Sequence, residues 1–278
     1  MDNICVIYYT GELYKDLARV AYNSFVKFHK NEVECFLIDG AKINSQEYHS
    51  QLASIGPGRM KYLIAYRIAM ERKAKKVIIL GADTITCSRL DEFLDSKEDI
   101  LCTLDYPYQF NSCGARSPDT QTHLNADVVC FNNLEALSQT IQASMHHSVY
   151  HEQGGLNEVI WKNKNFSYKI VDYPYLQSTC VYNTRAKGNF TAISSTRPNV
   201  FARYTTLFHV KDGKLYTGLH ENNPNIDKQI KVWHYCEGLG ANPTENAKKL
   251  IEWWKEKGLN QETKDFFTNE CDAGDFFK

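Results

Sequence analysis

Acidic, amide and imidazole side chains fall at the ends of the apolar runs in this sequence. Asp83 follows Val77-Ile78-Ile79-Leu80, Asp105 follows the run 100–104, and Asn125 and Asp127 open the run 128–131. Thr10 and Tyr14 lie just past the first run, and His209 and His234 lie in later ones. A hard divalent cation takes oxygen ligands, and a manganese-like ion also accepts an imidazole. Asp83 and a strand-end histidine can supply part of such a site, where a metal would neutralise the charge growing on a leaving diphosphate. Each residue also has a plainer reading. Asp83 can cap a turn, His234 after Trp233 can be a core histidine with His209 as the other candidate, and Tyr14 can serve packing alone. Lys61 can be a solvated lysine, and Glu152 and Gln153 can be first-turn helix residues favoured by the dipole. His146, His147 and His151 lie close together in a polar stretch without ligand spacing, which predicts surface exposure.

The elements that must position these residues can be read from periodicity. The run 4–9 is a strand, and Leu13, Leu17, Val20, Phe25 and Phe28 then recur at helical spacing up to His29-Lys30. The run 33–38 is a second strand closed by the turn dipeptide Asp39-Gly40. Residues 41–57 are polar and irregular, and Gly56-Pro57-Gly58 breaks the chain. A long helix over 59–75 feeds the stretch 75–86, read as one buried strand central to a mostly parallel sheet. In such sheets ligands collect at the carboxyl ends of the strands, where Asp83 sits. Further strands are expected at 100–104, 125–133, 166–171 and 230–236, with helices at 134–145 and 152–161 and a hairpin about Asp212-Gly213. Residues 107–121 read as a loop. Asn242, Pro243 and Glu245 have the pattern of a capped helix start, and Gly258 its end. Ala247, Leu250, Ile251 and Trp254 would form its docking face. The fold class is therefore α/β, a Rossmann-like mixed and mostly parallel sheet flanked by helices, with a C-terminal helix. One domain with an appendage is the simplest organisation: 1–241 as the main unit and 242–278 as a helical extension packed on it.

Composition narrows the function classes. The 278 residues are 43% hydrophobic and 23% charged with a net charge of −1, ordinary for a globular protein. That balance argues against nucleic acid as a partner. No apolar run approaches the length of a membrane span, and residues 1–9 leave no room for a leader peptide. The nine cysteines contain no C-x-x-C pair, which suits free thiols and a cytoplasmic location. No G-x-G-x-x-G follows the first strand, so a nicotinamide-dependent oxidoreductase is disfavoured.

Taken in order, several segments resemble the family 8 glycosyltransferases of GT-A fold, glycogenin-like members in particular. Thr10-Gly11-Glu12-Leu13-Tyr14 has the family's T-x-x-x-Y shape, and Arg59-Met60-Lys61-Tyr62 resembles the start of the helix before its metal-binding strand. The stretch 77–86 resembles the strand ending in D-x-D, and Asn125-Ala126-Asp127 resembles its N-x-G strand. Glu152-Gln153-Gly154-Gly155-Leu156-Asn157 is similar to D-Q-x-x-L-N. Asp172-Tyr173-Pro174 echoes a later strand, and 233–238 is similar to the terminal H-x-x-G segment. The resemblance spans residues 4 to about 240 in one consistent order.

That resemblance implies transfer of a sugar from a UDP-sugar donor to an acceptor hydroxyl on a glycan, protein or small molecule, with retention of anomeric configuration. It implies Mn2+ or Mg2+ held by Asp83 and His234. Thr10, Tyr14, Lys61, Ala82, Asp83 and Asn125 would bind the donor, with Tyr14 stacked on the base and Lys61, joined by Arg59, near the diphosphate or sugar. Asp127, Glu152 and Gln153 would surround the reacting carbon. A homodimer is compatible with this reading. Three departures stand out. Gly81 replaces the first acid of D-x-D, Asp127 replaces the family's glycine, and the terminal segment has an extra residue before Gly238 and no lysine beyond it. They bear on metal and diphosphate, and they motivate the alternative of a catalytically weak or inactive sugar-nucleotide-binding protein.

Overall fold

A computed structural model describes residues 2–104, 124–147, 151–163, 165–171, 208–217, 229–235 and 243–278. The chain opens β1 (Asn3–Tyr9), α1 (Glu12–His29), β2 (Glu34–Asp39), α2 (Gln46–Arg72), β3 (Lys76–Leu80) and β4 (Thr84–Thr86). It continues α3 (Asp91–Asp95), β5 (Ile100–Leu104), β6 (Leu124–Phe131), α4 (Leu134–Ser144), α5 (His151–Glu158) and β7 (Tyr168–Ile170). The described remainder holds β8 (Phe208–Lys211), β9 (Lys214–Thr217), β10 (Val232–His234), α6 (Pro243–Trp253) and α7 (Gln261–Asn269).

Six strands form the main sheet in the order β2-β1-β3-β6-β5-β7. The pairings β1–β2, β1–β3 and β5–β7 are parallel, and β6 runs antiparallel to both of its neighbours. The expected α/β class with a mixed, mostly parallel sheet flanked by helices therefore holds. Every residue of β3 is buried, which its unbroken aliphatic run requires once helices cover both faces. One core lies between the sheet and α2, α4 and α5, and a second, with Ala18, Ala21 and Phe25 of α1, covers the opposite face.

The structure revises the sequence reading at three places. The stretch 75–86 is two strands: β3 ends at Leu80, and β4 leaves the main sheet to pair with β10. Residues 46–55 are helical, not irregular, because Gly56 at φ 78° kinks α2 and Pro57 opens its second half without ending it. The helix begun at 243 continues as a π-helical turn over Trp254–Gly258, and α7 follows it unforeseen. Asn260 caps α7 by accepting from Thr263 N at 2.8 Å. The hairpin turns where expected, with Asp212 and Gly213 both at positive φ (51° and 67°). The loop 107–121, Asp105, the Asp172-Tyr173-Pro174 segment, the Asn242 cap and residues 236–241 lie outside the described residues.

A third core is aromatic and holds the C-terminal helices. Trp233 stacks on Phe267 at 4.8 Å and meets Trp254 edge-on at 5.4 Å and Phe276 at 5.8 Å. Ala247, Ile251 and Trp254 are buried, as the expected docking face requires. Cys5, Cys35, Cys87, Cys102, Cys130 and Cys271 are free thiols. Among the described residues no helix is long and apolar enough to cross a membrane.

Candidate functional site

Strand register brings the chemistry to one edge of the sheet. Parallel β1 and β3 place Thr10 and the 81–83 turn at neighbouring carboxyl ends. Antiparallel β6 brings its opposite end, Leu124–Asp127 in sequence, to the same edge: Leu80 pairs with Val128, and Gly81 N donates to Asp127 O at 2.8 Å. The turn from β3 to β4 is fixed by Thr84 Oγ1 donating to Gly81 O at 2.8 Å. β10 then runs antiparallel to β4, with His234 opposite Thr84 and Tyr235 N donating to Asp83 O at 3.1 Å. His234 is thereby held beside Asp83, and its Nε2 lies 3.3 Å from Asp83 Oδ2 and 4.0 Å from Asp127 Oδ2.

Lys61 projects from α2 into the same place and is only 5% exposed. Its ammonium donates to Asp127 Oδ1 and lies 3.8 Å from Glu152 Oε1 at the start of α5. Burial works against its charge, but Asp127 and Glu152 outweigh it and hold the lysine above its ordinary pKa. The solvated-lysine reading is overturned. Burial raises the Glu152 carboxyl above the usual range, with Lys61 pulling it down and Asp127 pushing it up. Gly58 is part of this arrangement, because a Cβ there would lie 2.0 Å from Glu152 Oε2.

The strand end that carries Asp127 is braced on all sides. Asn125 Oδ1 accepts from Asp127 N at 2.8 Å, and Gln153 Oε1 accepts from Ala126 N at 3.3 Å. Tyr62 Oη donates to Ala126 O at 3.0 Å. Asn157 both accepts from Leu124 N and donates to Leu124 O, each at 3.0 Å. Sequence reasoning passed over Tyr62, Asn157 and Gly58 as contributors. Asn157, one helical turn after Gln153 on α5, was the findable signal, since i and i+4 share a face.

Thr10 and Tyr14 lie beyond the end of β1, on either side of Gly11 at φ 84°. Tyr14 is half-buried and packs against the edges of two cores. Gly40 sits close by, since a Cβ there would lie 2.7 Å from Thr10 Cγ2. Ala82 is buried in the turn before Asp83.

Two expectations about basic residues change. Arg59 is tied into the scaffold, donating to Ser144 O at 2.8 Å, Ile55 O at 2.9 Å and His147 O, which gives its guanidinium a structural role. His147 is largely buried, with its Nε2 2.7 Å from Glu158 Oε2 and its ring over Gly154, so only His146 and His151 show the expected exposure.

Neither a family model nor a curated protein sequence matches the chain. Solved structures similar to it include the galactosyltransferase LgtC in complex with donor and acceptor sugar analogues, at 13% identity, covering 90% of this chain and 94% of that one, with a TM-score of 0.48. The glycosyltransferase GlyE of Streptococcus pneumoniae is similar at 13% identity over 93% of this chain and 64% of that one, with a TM-score of 0.44. The bifunctional glycosyltransferase WbbM is similar at 12% identity and a TM-score of 0.42 over 62% of this chain, which spans 39% of that structure.

Proposed function

We propose that the chain transfers a sugar from a UDP-sugar to an acceptor hydroxyl with retention of configuration, using Mn2+ or Mg2+. The observation that carries this reading is the meeting of Lys61, Asp83, Asp127, Glu152 and His234 at one sheet edge, from five separated stretches of sequence. Three carboxylates there face one ammonium. A diphosphate, itself strongly anionic, needs a further cation to enter such a site.

Among the described residues no three His, Cys, Asp or Glu side chains enclose a metal position on their own. The donor set fits an open site instead, because Mg2+-like ions keep waters and complete their shell with substrate phosphates, needing only one or two carboxylates. Neighbouring ligands at about 2.1 Å from an octahedral ion lie roughly 3 Å apart, close to the 3.3 Å between His234 and Asp83. Asp83 and His234 would hold the ion, which supplies Lewis-acid stabilisation of the leaving diphosphate. Lys61, kept protonated by its carboxylate neighbours, orients Asp127 and Glu152. Gln153 and Asn125 fix the β6 backbone at the donor sugar, and Thr10 and Tyr14 receive the uridine, Tyr14 by stacking. Residues 1–241 form the donor-binding unit in this reading, with 242–278 packed on it through Trp254.

The test is a thermal-shift screen of UDP-sugars with and without Mn2+, followed by UDP release without added acceptor. Metal-dependent stabilisation, with slow release that disappears in Asp83→Ala, is expected. Binding with no release under any metal would mean a non-catalytic sugar-nucleotide-binding protein.

A further inference from the structure

Asp127 is firmly held and, among the charged side chains of the site, the most exposed. Its backbone is fixed at both ends of the residue: N donates to Asn125 Oδ1 and O accepts from Gly81 N, each at 2.8 Å. Lys61 donates to Oδ1, which sets the rotation of the carboxylate. Yet the side chain is 29% exposed, against 15% for Asp83, 16% for Glu152 and 7% for Lys61 and His234. A fixed carboxylate that solvent reaches is one that a substrate also reaches. Gly81 keeps it in place. Its φ is not positive, unlike those of Gly11, Gly56 and Gly213, so the backbone there would accept any residue. A Cβ, however, would lie 3.1 and 3.3 Å from Asp127 Cβ and Cγ and would crowd the carboxylate.

The other oxygen, Oδ2, lies 4.0 Å from His234 Nε2, beside the His234–Asp83 pair that marks the diphosphate in the reading above. The anomeric carbon of a UDP-sugar is bonded to that diphosphate, so Oδ2 neighbours the bond that must break. A second carboxyl group stands close by, with Glu152 Oε1 3.8 Å from the same ammonium that holds Oδ1. Two carboxyl groups thus bracket one lysine. Retention at a sugar carbon is achieved by such a close pair, one acting as nucleophile and the other handling the proton.

We infer that Asp127 is the nucleophile of a double displacement, with Glu152 as the group that takes the acceptor's proton. This rests on the retaining UDP-sugar transfer proposed above and supplies its chemistry. In the first step Oδ2 bonds to the anomeric carbon as the bond from that carbon to the diphosphate oxygen breaks, and the electron pair of that bond leaves with UDP. The sugar is then an ester of Asp127 with inverted configuration. In the second step the acceptor oxygen bonds to the same carbon, and the ester bond breaks with its electron pair returning to Oδ2. The hydroxyl proton passes to the Glu152 carboxylate and from there to solvent. Two inversions give net retention. Lys61 is the positioning residue: it aims the carboxylate before attack and stabilises the charge that returns to it afterwards. Burial raises the Glu152 carboxyl, which makes its ionised form a stronger base than an ordinary carboxylate.

The test incubates the chain with UDP-glucose, UDP-galactose, UDP-N-acetylglucosamine and UDP-xylose in turn, with Mn2+ and without acceptor, and follows UDP release and intact protein mass. In Glu152→Gln the second step should stall. A burst of about one UDP per chain should precede slow turnover. The chain should then be heavier by one sugar residue, mapped to Asp127 after acid quenching and digestion. Asp127→Ala should lower release about a thousandfold or more. Azide, small enough to enter the space of the missing carboxylate, should restore release in Asp127→Ala and give a glycosyl azide of inverted configuration. A mere counter-ion of Lys61 would carry no sugar, and its loss would not be repaired by azide. Thermal melting checks each fold; should Asp127→Ala not fold, the mass of Glu152→Gln, with Asp127 intact, decides alone. The proposal fails if a donor is turned over while Asp127 carries no sugar and azide changes nothing, or if the sugar is found on another side chain. No release from any of the four donors would sink the transfer reading itself.

Discussion

Adjacent residues of β10 serve two regions built on opposite physical rules. Trp233 enters a core of stacked and edge-on rings with Trp254, Phe267 and Phe276, while His234 enters a cluster of three carboxylates and a lysine. In the aromatic region each ring gains from dispersion and area removed from water, contributions that are non-directional and share out over many contacts. In the charged region the gains are pairwise and opposed by desolvation, so removing one member leaves another uncompensated. The first region should therefore respond to lost volume and ignore pH, and the second should respond to lost charge and follow it.

The largest effect tests the aromatic side. Phe267→Ala opens a cavity against Trp233 and should cost about 4 kcal/mol in urea unfolding. The loss should be the same at pH 5 and pH 8; a pH-dependent loss would mean that the two regions are not separable across β10. Next, Lys61→Met keeps bulk but removes the ammonium between Asp127 and Glu152, and should cost about 3 kcal/mol. Here pH matters. Without the lysine, Glu152 loses the group that pulls its pKa down, so ionising it costs more and the deficit should grow as pH rises past the wild-type folded pKa, which itself stands above 4.5. A constant deficit would place the lysine's contribution in packing alone.

The same contrast governs what could be read from the sequence. Strands and helices showed themselves through local periodicity, and the apolar face of α6 and the turn that continues it was visible because Ala247, Ile251 and Trp254 repeat at helical spacing. The order of the motif residues also pointed to the sheet edge where Asp83, Asp127 and His234 meet. What stayed hidden was relational. Lys61 and Asp127 lie 66 residues apart, and nothing local distinguishes a buried, paired lysine from a solvated one. Gly56-Pro57-Gly58 looked like a stop, although only Gly56 departs from helical geometry and the helix resumes at once. Gly81 looked like a missing acid; its meaning depends on Asp127 across the sheet, which no window along one strand contains. α7 was legible in principle from Asn260 and the paired phenylalanines behind it.

Gly58 sharpens the comparison by separating fold from site. An alanine in a helix is favoured over glycine by roughly 1 kcal/mol. Its methyl, however, would fall 2.0 Å from Glu152 Oε2, the far end of a side chain that can move aside. Gly58→Ala should therefore melt within about 2 °C of wild type. If the proposed transfer holds, UDP release should fall about tenfold as the displaced carboxylate leaves its place by Lys61. Normal release would remove Glu152 from the machinery, and a large melting shift would show that the charged region is packed as rigidly as the aromatic one.

The smallest effect concerns Glu152 itself. Its folded pKa stands above the 4.5 of the free side chain, so its neutral form suits the fold better than its charged form. The stability linked to that difference is fully present below pH 4.5 and is lost as pH rises through the folded value. Glutamine is a permanent stand-in for the neutral acid. Glu152→Gln should then match wild type near pH 4 and gain on it at pH 7, by on the order of 2 °C in melting temperature. Lys61 retains Asp127 throughout, so the lysine stays charged in both proteins. If the variant instead loses ground as pH rises, the attraction to Lys61 exceeds the cost of burying Glu152, and the carboxylate cluster is held by ion pairing more tightly than its burial implies.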